Sequence, residues 1–195
     1  MGVSRTRTKL IDVARQLFAK MGVENTTMND IARESMKGRR TLYTYFKSKE
    51  EVYMAVVQTE LRILSDKMRE VVARDISPDK KIMEMIFTKL GLIKSIVMRN
   101  GSLKADFFND IRKVKAARKQ FDKVEIGLFK SVLEEGIEKG VFNVDNTELV
   151  AQLMHYCIKG IEVPYILGRI GPQMTDAERN KYIERLIFGA LQRKE

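Results

Sequence analysis

Between Lys37 and Lys49 the sequence reads KGRRTLYTYFKSK, five cations and two tyrosines with no Asp or Glu among them. The adjacent Arg39 and Arg40 can each present two parallel N–H donors, the geometry that matches the O6 and N7 edge of guanine in the major groove of DNA. Thr41 and Thr44 are the next candidates for base contact, since a hydroxyl can bond either kind of base edge. Thr27, Tyr43, Tyr45, Lys47 and Lys49 carry the groups that grip phosphates, contacts that position a protein on a duplex without reading its sequence, and Lys37 is a further residue expected to contact DNA. Lys49 also opens a helix, and helix N-terminal N–H groups favour an anion. Ahead of this stretch, Arg5 and Arg7 can serve as an arm in an adjacent minor groove.

Such side chains work only if a short helix carries them into the groove, and the surrounding residues supply that scaffold. Leu10, Ile11, Ala14, Leu17, Phe18 and Met21 recur at helical spacing and Gly22 stops the run. Thr27 can cap a second helix bearing Met28, Ile31 and Ala32, and a third short segment holds Leu42 and Phe46 as its core-facing residues. Helix, tight turn and short helix inside a basic region form the arrangement that seats one helix in the major groove. Ser48 followed by Glu51 then reads as a capping box for a long fourth helix, and Ser77-Pro78 as another helix start. Asn100-Gly101-Ser102 and Gly140 read as stops, Asp145 and Glu148 as flanks of a further start, and Thr175 with Glu178 as a third box-like start. Pro164 to Pro172 reads as a long turn between the last two helices. The expected fold is all-α, about nine helices with no alternating strand, with a DNA-binding domain over 1–50 and a regulatory and dimerisation domain over 51–195.

Charge and composition agree with that division. The chain of 195 residues carries a formal charge of +10, and up to Lys49 it holds eleven Lys and Arg against four Asp and Glu. Most of the basic excess therefore lies in the first quarter, as a polyanion-binding head requires. One cysteine, Cys157, closes no intrachain disulfide, and one histidine, His155, builds no zinc cage alone. Two positions apart, they lie on different sides of a helix and are expected to pack; no metal site and no cofactor are expected. No apolar run approaches the roughly 18–20 residues of a membrane span, so the chain is expected to be soluble and cytoplasmic, with no membrane partner. With no glycine-rich phosphate loop, nucleophile motif or paired ligand spacing, no enzyme is expected.

The run TTMNDIA over 26–32, then TLYTYF over 41–46, then SKEE over 48–51, behind a first helix that ends at Gly22, resembles the N-terminal signature of TetR-family transcriptional regulators. The resemblance covers about residues 5–55, and its elements agree in order and spacing. It implies phosphate contacts at Thr27, Tyr43, Tyr45 and Lys49 and base approach from Arg39 to Thr44. The chain departs from the family pattern at the turn, where Ser35-Met36-Lys37-Gly38 stands in place of a small residue, glycine, a hydrophobic residue and Ser or Thr. Met36 must then take the turn without glycine's freedom, and Gly38 must cap the short helix without a side chain.

Beyond residue 55 the resemblance is to an architecture. It implies a helical cavity for a small apolar or amphipathic effector, for which Met85, Phe108, Phe129 and Tyr156 are candidate lining. It also implies homodimerisation through the last two helices, where Leu149, Leu153, Cys157 and Ile161 and then Ile183, Leu186, Ile187 and Leu191 suit a four-helix interface. The function so implied is a ligand-responsive regulator, by the family's commoner habit a repressor, acting as a homodimer on a near-palindromic double-stranded operator. An architectural or nucleoid-associated DNA binder with the same head and no ligand switch is the alternative.

Overall fold

Helix formation dominates the chain because apolar residues recur every three or four positions almost throughout, and the computed structural model returns eight helices and no strand among the described residues. Described are the backbone of 4–99 and 112–190 and, within it, the side chains of 4–96 and 116–189. In chain order the helices are α1 (Arg5–Met21), α2 (Met28–Glu34), α3 (Arg39–Tyr45), α4 (Lys49–Val72), α5 (Pro78–Arg99), α6 (Arg112–Glu138), α7 (Thr147–Ile166) and α8 (Asp176–Ala190).

The chain divides into two compact units. One comprises Met1–Ile63 with Ser95–Lys119, the other Leu64–Lys94 with Gln120–Glu195. In the first unit α1 buries Leu10, Ile11, Ala14 and Phe18, α2 buries Ile31 and Ala32, and α3 buries Leu42. Val52, Tyr53, Ala55 and Val56 on the first turns of α4 are buried with them, and the Phe18 and Tyr53 rings meet edge to face at 6.0 Å. Arg15 ties α1 to α4 by reaching Glu60 at 3.3 Å while it also holds Asp12 at 3.0 Å. In the second unit Ile82, Met85, Ile86 and Leu90 of α5, Phe129, Val132 and Leu133 of α6, and Ala151, Met154 and Ile158 of α7 are buried.

Helix ends follow local chemistry. Thr27 and Asp30 form a reciprocal capping box on α2, and Thr175 and Glu178 do the same ahead of α8. The box at Ser48 is altered: Ser48 Oγ accepts from the Glu51 N–H, but the Glu51 carboxylate accepts from the Lys47 N–H at 2.7 Å. At α7 the cap is Asn146, whose Oδ1 accepts from the Leu149 N–H at 2.9 Å, inside the Asp145 to Glu148 window. The turn anticipated from Pro164 begins later, because α7 continues to Ile166. Lacking an N–H, Pro164 gives up one intrahelical bond close to the helix end.

Candidate nucleic-acid interface

The two short helices of the head are joined by a Schellman turn. Met36 donates its N–H to the Arg33 carbonyl and Lys37 to the Ala32 carbonyl, each at 3.0 Å, the pair of bonds that defines this motif. Such a turn needs a left-handed residue at its centre, and Met36 has φ 54°. The same bond pattern ends α6 and α7 with Gly140 (φ 67°) and Gly168 (φ 66°) at the matching position. Here a side chain with a Cβ accepts the conformation, at a cost of about 1–2 kcal/mol. Met36 itself is 86% exposed, so burial offsets little of that cost.

This turn delivers α3 with a divided surface. Leu42 and the following Phe46 point into the head and are buried, while Arg39, Arg40, Tyr43, Thr44 and Lys47 are exposed. Positions 39, 40, 43 and 44 lie on one side of a 3.6-residue helix, so the outward face is cationic and aromatic, and Lys47 follows just beyond the helix end. Among the described residues no ion pair is formed by the side chains of Lys37, Arg39, Arg40 and Lys47, although ion pairs are frequent elsewhere in the chain. Thr41 and Lys37 are half-buried. Thr44 turns its hydroxyl back to the Arg40 carbonyl at 2.9 Å, which leaves its oxygen lone pairs outward. Gly38 caps α3 in extended geometry with no side-chain bond, as its lack of a side chain dictates.

The flanking residues expected to grip phosphate divide into two groups. Thr27 is exposed beside the head, and Asp30 accepts from both its hydroxyl (2.6 Å) and its N–H (3.0 Å). Those Thr27 bonds, chiefly the side-chain one, hold the Asp30 carboxyl below the ordinary value. Tyr45 is half-buried and its hydroxyl meets the Ser4 hydroxyl at 2.9 Å; Ser4, forty-one positions away, could not be linked to it from spacing. Lys49 directs its ammonium onto the carbonyls of Val23 (2.7 Å) and Glu24 (3.1 Å), so it first of all fastens the α1–α2 turn to the start of α4. Arg5 and Arg7, expected to form an N-terminal arm, occupy the first turn of α1, and the Arg7 guanidinium lies 5.2 Å over the Phe46 ring. A cleft of about 590 Å³ opens beside Arg7, Tyr45, Phe46 and Met54, bordered by none of the residues expected to line an effector site.

In the second unit the apolar residues sort differently from expectation. Met85 and Phe129 are buried. Tyr156 is not in the interior; it is 63% exposed on α7, its ring edge to face with His155. Phe108 and Leu191 lie outside the described residues. Of the residues expected at a dimer face, Leu149, Leu153, Cys157 and Leu186 are exposed and Ile161 is half-buried. Ile183 and Ile187 are buried within the chain's own core; they lie on the inward side of α8, whose outer side carries Tyr182 and Leu186.

A short cationic helix set outward on a three-helix head, in an all-helical chain, defines a DNA-binding protein of the helix-turn-helix class. Residues 10–56 match the family described as Bacterial regulatory proteins, tetR family. The chain is 29% identical over 149 residues to the HTH-type transcriptional repressor KstR2 of Rhodococcus jostii, covering 74% of this chain and 71% of that one. Its fold is similar to the fatty acid degradation regulator FadR of Bacillus halodurans (TM-score 0.74, 19% identity, all of both chains covered). It is also similar to FadR of Bacillus subtilis, solved in complex with stearoyl-CoA (TM-score 0.70, 19% identity, 93% of this chain and 98% of that one). Over residues 10–56 the chain carries the DNA-binding domain of the tetR family of bacterial regulatory proteins, and it is a DNA-binding transcriptional regulator. Among the described residues no helix is long and apolar enough to cross a membrane.

Proposed function

We propose that this regulator is a ligand-responsive repressor that binds a near-palindromic operator as a homodimer, with α3 in the major groove of each half-site. The observation that carries the DNA part is the unpaired cationic face of α3. Five cations without an acidic residue between 37 and 49 supply phosphate neutralisation, and Arg39 and Arg40 at its N-terminal end supply base reading. The phosphate grip comes from Thr27, Tyr43, Tyr45 and Lys47, with Lys49 contributing whatever donor capacity remains beside its two carbonyl partners.

Dimerisation is supported by the second unit's surface. Leu149, Leu153 and Tyr156 recur at helical spacing and are exposed, Cys157 beside them is exposed too, and Leu186 is 67% exposed on α8. A self-complementary apolar face of this kind is what a two-fold axis covers. A small apolar or amphipathic effector follows from the kind of molecule bound by the B. subtilis relative and from the Met-rich interior at Met83, Met85 and Met154. Selection of bound duplexes from a random pool tests the reading. Enrichment of a two-fold symmetric site with half-sites one helical turn or a multiple apart is expected. Protection of a lone asymmetric half-site, or broad occupancy with no consensus, overturns it.

A further inference from the structure

Deep in the second unit, six ionisable side chains from three helices meet: Lys89 of α5, Asp122 and Glu125 of α6, and His155, Lys159 and Glu162 of α7. Lys89 is buried with its ammonium 2.7 Å from Glu125 Oε1 and 2.6 Å from Glu162 Oε1. Burial alone would push that ammonium down, but the two carboxylates outweigh it and hold its pKa above the ordinary value. Glu125 Oε2 lies 2.8 Å from His155 Nδ1, and Lys159 Nζ lies 2.7 Å from Asp122 Oδ2. Beside these contacts, His155 Nε2 is wholly buried and without a hydrogen-bond partner, and Asp122 Oδ1 faces it at 3.7 Å.

A carboxylate only accepts, so the 2.8 Å contact puts a proton on Nδ1 and, in the neutral ring, the lone pair on Nε2. Two electron-pair donors then confront each other in the interior, the arrangement a cation resolves. The charges point the same way. Asp122, Glu125 and Glu162 bring three negative charges against two from Lys89 and Lys159, so one further positive charge at the imidazole, a proton or a metal ion, balances the cluster. A carboxylate on one imidazole nitrogen is also the usual partner that fixes a metal-binding histidine for coordination through the other.

We propose that His155 Nε2 and Asp122 Oδ1 bind a divalent transition-metal ion of the zinc class, with Glu125 as the residue that orients the imidazole. Bonds of about 2.0–2.2 Å from such an ion to nitrogen and oxygen span roughly 3.4 Å at a tetrahedral angle, so the observed 3.7 Å needs only a small shift of Asp122, whose side chain is partly exposed. One imidazole and one carboxylate, with no thiolate, favour zinc, cobalt or nickel over cuprous copper. Two protein ligands make an open site whose remaining positions take water. The proposal departs from the expectation of no metal site from a lone histidine, since Asp122 and His155 lie on different helices, far apart in sequence, and only the fold brings them together.

The test uses the full chain, freed of metal and titrated with zinc. Retention of one zinc per chain is expected, with a change in the imidazole nitrogen resonances that places the metal on Nε2; a single histidine makes that signal unambiguous. Asp122→Asn and His155→Gln should each abolish the retained equivalent, and Glu125→Gln should weaken it by about 10–100-fold. No retention by the folded wild-type chain, retention with the histidine signals unmoved, or a ring that merely protonates indifferently to zinc would overturn the proposal. Because the wild-type resonance reads the site directly, a variant that fails to fold does not rescue it. The outcome is independent of operator binding.

Discussion

Replacing Met36 with glycine should stabilise the DNA-binding head, although it removes a large apolar side chain. The residue holds a left-handed conformation at φ 54°, which costs a residue with a Cβ about 1–2 kcal/mol. Its side chain is 86% exposed, so truncation forfeits little burial. Against the relief stands the greater freedom of glycine in the unfolded chain, about 0.4–1 kcal/mol. The net gain is about 0.5–1 kcal/mol, or roughly 1–4 °C in Tm if the head and the rest unfold together. Urea and thermal unfolding followed by circular dichroism measure it, with Met36→Ala as the control, since alanine loses the side chain but keeps the Cβ. The alanine variant should stay within about 0.5 kcal/mol of wild type. If glycine were no better than alanine, or worse than methionine, the strain argument for this turn would be wrong.

Lys89→Met should cost about 3–5 kcal/mol by urea unfolding, because it leaves Glu125 and Glu162 buried without their shared ammonium; a loss under 1 kcal/mol would mean the carboxylates find other partners. Acid should destabilise the chain. Asp30, Glu135, Glu148, Asp176 and Glu178 are all held below their ordinary values by hydrogen bonds, from Thr27, Lys139, Gln152, Arg179 and the Thr175 backbone first in each case. A carboxyl lowered on folding contributes stability that is fully present above its ordinary value and lost as pH falls through the folded one. Urea midpoints should therefore be level above about pH 5 and decline below it; a flat profile down to pH 3 would contradict these bonds. If the proposed dimer forms, Leu153→Glu with Leu186→Glu should convert it to monomer in light scattering with helicity retained, and an unchanged dimeric mass would place the interface elsewhere.

The head was legible because its apolar period, caps and turn chemistry act over a few residues. Gly22 ends the stripe from Leu10 to Met21 in sequence and in structure alike, Thr27 caps where a threonine before an apolar run should, and the strained Met36 follows from a glycine position occupied by methionine. Pro78 opens α5 for the same local reason. What depends on distant partners was not legible. Ile183 and Leu186 carry the same hydrophobic signal, yet one is buried in the chain's own core and the other exposed, a difference set by how α8 rotates against its neighbours. Tyr156 left the interior by the same rotation on α7. The cluster around Lys89 and His155 is the extreme case, since each charged residue taken alone reads as a solvated surface group. Arg7 on Phe46 and Lys49 on the Val23 carbonyl likewise needed the folded head to bring them together.

The central claim is that α3 reads DNA through its outward side chains. Its most direct test is the Arg39→Ala, Arg40→Ala double variant, compared with wild type on the selected operator and on an unrelated duplex of equal length at one fixed salt concentration. Loss of most of the ratio between the two affinities is expected, on the order of 10-fold or more for each bidentate contact removed, with helical content and oligomeric mass unchanged. Full selectivity in that folded variant would contradict the account.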